Sequence, residues 1–172
     1  MQARAIENII DNQDENHWVK GFAGSGKTIV LTHVLEHLAA AKPPAKICFA
    51  TFTHALKDLV ESGLSESAKK RITLSTFDAL KNLKGNFDLI VVDEMQDIKN
   101  ETLPILASKS DVLIVAADLD QSIYKFSVSA SILNSAIKPA QEHQLREIHR
   151  INENTFDVAT SVYYEAKIVS QT

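Results

Sequence analysis

Apolar residues along this chain fall into two alternating kinds of run, and their spacing predicts the elements. Over residues 2 to 12, Ala5, Ile6, Ile9 and Ile10 recur at helical spacing and predict an amphipathic helix. Trp18-Val19-Lys20 predicts a short strand, and residues 28 to 41 a helix, with Ile29, Val30, Leu31, Val34, Leu35 and Leu38 on and around one face. Pro43-Pro44 ends it. A second strand, Lys46 to Ala50, precedes a helix from His54 to Ser62 closed by Gly63. A charged loop (Glu66 to Lys70), a strand at Arg71 to Leu74 and a loop into a short helix over Ser75 to Leu80 follow. After a turn at Gly85-Asn86, Phe87 to Val92 is the most strongly apolar strand. A helix near Glu101 to Ala107, a strand at Asp111 to Ala116 and a final helix from Asn152 to Ala166 complete the pattern.

Short, continuously apolar strands alternating with helices predict an α/β fold: a parallel sheet covered by helices on both faces. Ligands of such sheets bind outside the carboxyl ends of the strands. Here the polar segments of interest all follow strands, so they gather along one sheet edge.

At 172 residues the chain suits one domain with a short appendage, and its 45% hydrophobic content can bury a core. No run reaches the roughly 18 apolar residues of a membrane helix. The start, Met1-Gln2-Ala3-Arg4, has no basic region leading into an apolar one, so no signal peptide is expected. The single cysteine, Cys48, can form no internal disulfide, and a reducing, cytoplasmic setting is the default expectation. A net charge of −4 supplies no global attraction for nucleic acid, so such contacts would be local. His33 and His37 have a zinc-compatible spacing but no third ligand, which predicts solvent-facing side chains.

The first chemical signal is Gly21-Phe22-Ala23-Gly24-Ser25-Gly26-Lys27-Thr28, which satisfies G-x-x-x-x-G-K-[ST], the phosphate-binding loop. It follows a predicted strand and opens a predicted helix, as the motif requires. The glycines let backbone N–H groups close around phosphate oxygens at a helix N-terminus. Lys27 is placed to reach the β- and γ-phosphates, and the Thr28 hydroxyl to ligate Mg²⁺. The second signal is Asp93-Glu94 at the end of the Phe87–Val92 strand. Asp93 is read as the metal-side carboxylate and Glu94 as the general base that orients and deprotonates water. The expected ligands are ATP and Mg²⁺, and the expected fold is that of a P-loop NTPase.

Further motifs narrow the reading. Asp93-Glu94-Met95-Gln96-Asp97 resembles the D-E-x-Q-D box of superfamily 1 helicases of the UvrD/Rep type. Gly21–Thr28 resembles that family's first motif. Asp118-Leu119-Asp120-Gln121-Ser122-Ile123-Tyr124 is similar to its third, and Leu145-Arg146-Glu147-Ile148-His149-Arg150 to its fourth. The motifs stand in the family's order from residue 2 to about 160.

The resemblance implies a RecA-like motor domain over residues 1 to 150, followed by a C-terminal helix over 151 to 172 that leads toward a second RecA-like domain. It assigns adenine recognition to Gln2, γ-phosphate sensing to Gln121, an arginine finger to Arg150 and a link between the nucleotide site and the DNA side to Gln96 and Asp97. His149 stands where relatives stack tyrosine on adenine. Thr51-Phe52-Thr53 and Thr76-Phe77 match the segments that contact single-stranded DNA, and Tyr124 and Phe126 match base-stacking aromatics. For Phe126 a core position is a close alternative.

The chain also departs from the family. Ala117 replaces a glycine of the third motif, Ile148-His149 replace Asn-Tyr, and Ile29 replaces an arginine. The connection from Leu80 to the next strand has no room for the DNA-binding subdomain that relatives insert there. The leading expectation is the ATP-hydrolysing first domain of a DNA helicase or translocase, weak or inactive alone. The alternative is an ATP-binding regulatory or interaction module. A small-molecule kinase is a third reading, disfavoured by Gln96 and by the 121–124 segment.

Overall fold

The computed structural model describes residues 1–41, 45–118 and 140–148, together with positions 132, 135, 137, 167 and 168. Six parallel strands form one sheet: β1 (Asn16–Gly21), β2 (Ile47–Thr51), β3 (Ile72–Thr76), β4 (Phe87–Val92), β5 (Ser110–Ala117) and β6 (Ala140–Leu145). Their spatial order is β3-β2-β4-β5-β1-β6. All six carboxyl ends therefore share one edge. β5 lies between β1 and β4, so the end of β5 separates the two segments that carry the chemical motifs.

Each inner strand is apolar on both sides, and alternate residues serve opposite faces. Val19, Ile47, Phe49, Leu89, Val91, Ile114 and Ala116 pack under α1 (Gln2–Asp11), α2 (Lys27–Ala40), α3 (His54–Gly63) and α4 (Glu66–Lys69). Their in-strand neighbours Trp18, Cys48, Ala50, Ile90, Val92, Leu113 and Val115 face the other way. There they meet Phe77 and Leu80 of α5 (Phe77–Leu80), Met95 and Ile98 around the 3-10 turn Met95–Asp97, and Leu103 and Leu106 of α6 (Leu103–Lys109). Burial pushes the Cys48 thiol up to about 12, which keeps it protonated within the sheet. Lone Trp18 is 1% exposed, with the Lys20 ammonium 4.0 Å from its ring centroid.

The alternating α/β plan matches the expectation, with three local differences. The charged segment read as a loop forms the one-turn helix α4, because the Ser65 hydroxyl caps it by accepting the Ala68 N–H at 3.2 Å. β3 runs two residues further than Leu74 and takes in Ser75 and Thr76. β6 was not expected at all. Ala140-Gln-Glu-His-Gln-Leu145 has almost no apolar signal, because an edge strand beside β1 has only part of its surface to bury.

Polar bridges tie β6 to the chain around β1. Lys20 pairs with Glu142 at 2.7 Å, Gln141 bonds Glu15, and His17 Nδ1 lies 3.0 Å from His143 Nε2. His33 and His37 are exposed, as expected, and no group of three or more metal-ligating side chains forms among the described residues. No described helix is long and apolar enough to cross a membrane. Of the helix expected over 151 to 172, residues 152–166 lie outside the described residues, while Lys167–Ile168 form a short strand parallel to Glu147–Ile148 and not helix.

Candidate active site

β1 ends at Gly21 and α2 begins at Lys27, so the loop between them turns at the carboxyl edge of the sheet. Gly24 and Gly26 hold φ of 75° and 88°, a region that side chains disfavour. At Gly26 a Cβ would also lie 2.1 Å from the Gln2 side-chain nitrogen. That close approach has a purpose: Gln2 Nε2 donates to the Ser25 carbonyl at 2.7 Å and braces the loop from α1. At Gly21 a Cβ would lie 2.8 Å from the Leu145 carbonyl, so only glycine lets the loop pass the end of β6. Ala23 is exposed at the loop tip, while the Ser25 hydroxyl is buried with no hydrogen-bond partner.

Lys27 is 8% exposed, and its ammonium donates to the Gly21 carbonyl at 2.8 Å and the Phe22 carbonyl at 3.2 Å. Thr28 Oγ1 donates to Asp93 Oδ2 at 2.6 Å, joining two segments 65 residues apart in sequence. Asp93 is wholly buried at the end of β4, and its Oδ1 accepts the Glu94 N–H at 2.9 Å. Burial pushes the Asp93 carboxyl up to about 6, with the Thr28 hydroxyl opposing that rise. Burial, then the nearby Glu94 carboxylate, also raises Asp97.

Two features fit a magnesium–triphosphate ligand: a buried ammonium resting on neutral carbonyls, and a buried carboxylate whose charge lacks solvent. An anion at the loop would meet the first, and a divalent cation between Thr28 and Asp93 the second.

Glu94 is the one described non-glycine residue at positive φ, 55°. Such a conformation costs of order 1–3 kcal/mol and persists where neighbours enforce it. The Glu94 carbonyl accepts the Asp97 N–H at 3.0 Å, and the Glu94 carboxylate accepts a short bond from Gln96 Nε2. Gln96 is 2% exposed, and its Oε1 accepts the Asp118 N–H at the end of β5, at 3.1 Å. The family resemblance gives Gln96 a linking role, but the sequence does not show its partners, Glu94 and the Asp118 N–H.

The expected nucleic-acid residues lie further along the same edge, at the ends of β2 and β3, where Thr51 and Thr76 are register partners. Thr51 is wholly buried, with no hydrogen-bond partner for its hydroxyl. Phe52 is partly exposed, and Thr53 is exposed and caps α3 by accepting the Leu56 N–H at 3.2 Å. Thr76 caps α5, and Phe77 is 5% exposed within the core. The Phe77 ring therefore anchors its segment and is not presented at the surface. Gln121, Tyr124, Phe126, His149 and Arg150 lie outside the described residues.

A family described as an AAA domain (AAA_19) matches residues 2–127. The chain belongs to this family. No curated protein matches it. Among solved structures, arterivirus nonstructural protein 10 (helicase) in complex with DNA superposes with a TM-score of 0.63 at 18% identity, covering 96% of this chain and 44% of that one. Bacteroides Pif1 bound to ssDNA gives 0.59 at 17% identity, covering 97% and 47%. The Sulfolobus solfataricus SWI2/SNF2 ATPase core in complex with dsDNA gives 0.56 at 15% identity, covering 93% and 50%. The chain thus shares the RecA-like α/β fold of a P-loop NTPase with these structures and spans half or less of the length of each.

Proposed function

We propose that this chain is the ATP-binding, Mg²⁺-dependent ATP-hydrolysing motor domain of a UvrD/Rep-like helicase or single-stranded DNA translocase, and part of a longer protein. The observation that carries the reading is the 2.6 Å bond between Thr28 and Asp93, which joins the phosphate loop and the acid pair in one site. The wording of the Asp93–Asp97 box and of the 118–124 segment supports the UvrD/Rep subtype. The helicases among the similar folds support single-stranded DNA as partner, and their greater length supports a second RecA-like domain.

In this reading the loop N–H groups and Lys27 bind the phosphates, while Gln2, which braces the loop through Ser25, reads the adenine edge. Thr28 and Asp93 would hold Mg²⁺, which when bound offsets charge on the β- and γ-phosphates. Glu94 orients the attacking water and takes its proton. Gln121 and Arg150 are assigned to the γ-phosphate, and His149 to the adenine. Phe52, Thr53, Tyr124 and Phe126 are the side chains assigned to the strand, with Thr51, Thr76 and Phe77 shaping the segments that present it.

The test is steady-state ATP turnover with and without single-stranded DNA, together with Mg-ATP binding. Binding that Lys27→Ala removes is expected, with turnover that is low in the chain alone and lost in Glu94→Gln. Absence of Mg-ATP binding would sink the reading.

A second reading, an ATP-binding regulatory or interaction module without helicase activity, is favoured by one observation. The connection from α5 to β4 is only residues 81–86, with no DNA-binding insertion. Nucleotide binding that no single strand alters would decide for it.

A further inference from the structure

We infer that Gln96 is the positioning residue of the hydrolytic step: its amide pins one oxygen of Glu94, fixing the direction in which the other meets water. The inference rests on Glu94 acting as the base. It stands on three observations. Gln96 Nε2 donates to Glu94 Oε2, Gln96 Oε1 accepts the Asp118 N–H at 3.1 Å, and Glu94 is held at a φ of 55°.

A glutamate at a strand end normally swings among staggered rotamers. Here the backbone is forced into a rare conformation, and the carboxylate is held by an amide that is itself 2% exposed. The amide cannot turn over without losing both bonds. The reversed group would set its oxygen against the carboxylate and its NH₂ against the Asp118 N–H. Gln96 is thereby locked in one orientation, and it transmits that orientation to Glu94.

Gln96 engages Oε2 only, which leaves Oε1 for the proton of water. In the step itself the water oxygen bonds to the γ-phosphorus, the bond from that phosphorus to the bridging oxygen of ADP breaks, and the water proton passes to Glu94. Gln96 forms and breaks no covalent bond. It keeps the carboxylate from having to find its direction during the reaction, the kind of ordering that governs rate more than substrate affinity.

Gln96→Glu separates this role from a structural one, because it changes a single side-chain atom. The acceptor for the Asp118 N–H is kept, while the amide donor to Glu94 becomes a carboxyl that repels Glu94 or shares one proton with it, and so no longer leaves it a free base. Gln96→Leu removes both bonds. The probes are a non-hydrolysable Mg-ATP analogue, for ground-state affinity, and Mg-ADP with aluminium fluoride, which mimics the reacting geometry.

Gln96→Glu is expected to keep analogue affinity within about threefold of wild type. It should weaken the aluminium fluoride complex about tenfold or more, with any kcat falling in parallel and KM unchanged. A Gln96→Glu protein that matches wild type with both probes, while Gln96→Leu loses only thermal stability, overturns the inference and leaves Gln96 as a brace.

A readout without nucleotide separates this from failure of the functional reading. Glu94→Ala should move the Gln96 side-chain amide resonances and leave the protection of the Asp118 N–H intact. If those resonances do not move, Gln96 does not hold Glu94, whatever the chain binds.

Discussion

The two stretches of the carboxyl edge, one at the ends of β1 and β4 and one at the ends of β2 and β3, use their motif residues in opposite ways. At the first, polar side chains are drawn into the site: Lys27, Asp93 and Gln96 are buried and Thr28 half-buried, with Thr28 turned to Asp93 and Gln96 to Glu94. The Thr28–Asp93 and Gln96–Asp118 bonds cross between distant segments, and burying such groups costs stability that packing alone would have supplied. At the second, the matching residues work for the scaffold. Thr53 and Thr76 cap helices, Phe77 fills the core, and Thr51 is sealed in. A motif letter is therefore a chemical assignment in the first region; of these residues in the second, only Phe52 and Thr53 expose surface, Thr53 while capping α3.

The largest expected effect tests the second region. Phe77→Ala should destabilise the chain by about 3 kcal/mol through the cavity it leaves. Phe52→Ala should cost about 1 kcal/mol or less yet weaken single-strand binding. Denaturant titration and fluorescence anisotropy measure the two. Strand affinity lost in Phe77→Ala with stability intact would erase the distinction between the regions.

Next in size is the cost stored at Asp93. Burial pushes its folded carboxyl from the ordinary 3.8 up to about 6, so the folded state favours the protonated form. The penalty is absent below about pH 3.8, grows as pH rises through 6 and is constant above. Asp93→Asn should therefore raise the nucleotide-free stability at pH 8 by up to about 3 kcal/mol, with the advantage shrinking toward pH 4. Mg-dependent nucleotide binding should fall in the same variant. An Asp93→Asn protein less stable than wild type at every pH would show that the carboxylate is not strained.

Thr53→Ala is a smaller change, about 1 kcal/mol for a lost helix cap. Nucleotide affinity should stay unchanged, because the cap belongs to the scaffold of the second region; a calorimetric titration would show otherwise.

The smallest effect concerns the β6 edge. Burial, and then His17, lower His143 to about 4, so it folds neutral. Its contribution is full above pH 6.5 and is lost as pH falls toward 4, opposite in sign to Asp93. His143→Gln should flatten the acid limb of the stability profile. An unchanged limb would place the acid sensitivity elsewhere.

The inner strands were legible because burial on both faces demands unbroken apolar runs, and Phe87–Val92 was placed to the residue. The phosphate loop was legible because Gly24 and Gly26 occupy conformations that few other residues accept. β6 was not, since backbone pairing to β1 and polar bridges leave no hydrophobic period. The orientation of Phe77 was hidden for a related reason: beside a strand end, an aromatic suits a core and a base stack equally well. Nor could spacing reveal that Gln96 reaches Asp118, a contact made by the neighbouring of β4 and β5 in the sheet.

Trp18 gives the chain an optical reporter of its own. It stands opposite Val115 on one side and Glu142 on the other, three positions before Gly21. Its indole N–H has no hydrogen-bond partner, and the Lys20 ammonium lies over the ring. An indole in that setting should emit toward the blue and shift red as the sheet opens, so unfolding can be followed without a label. A movement of β6 that draws Glu142 and Lys20 aside should instead change the brightness at constant wavelength. Colour would then report whether the domain is folded, and intensity whether its edge has moved.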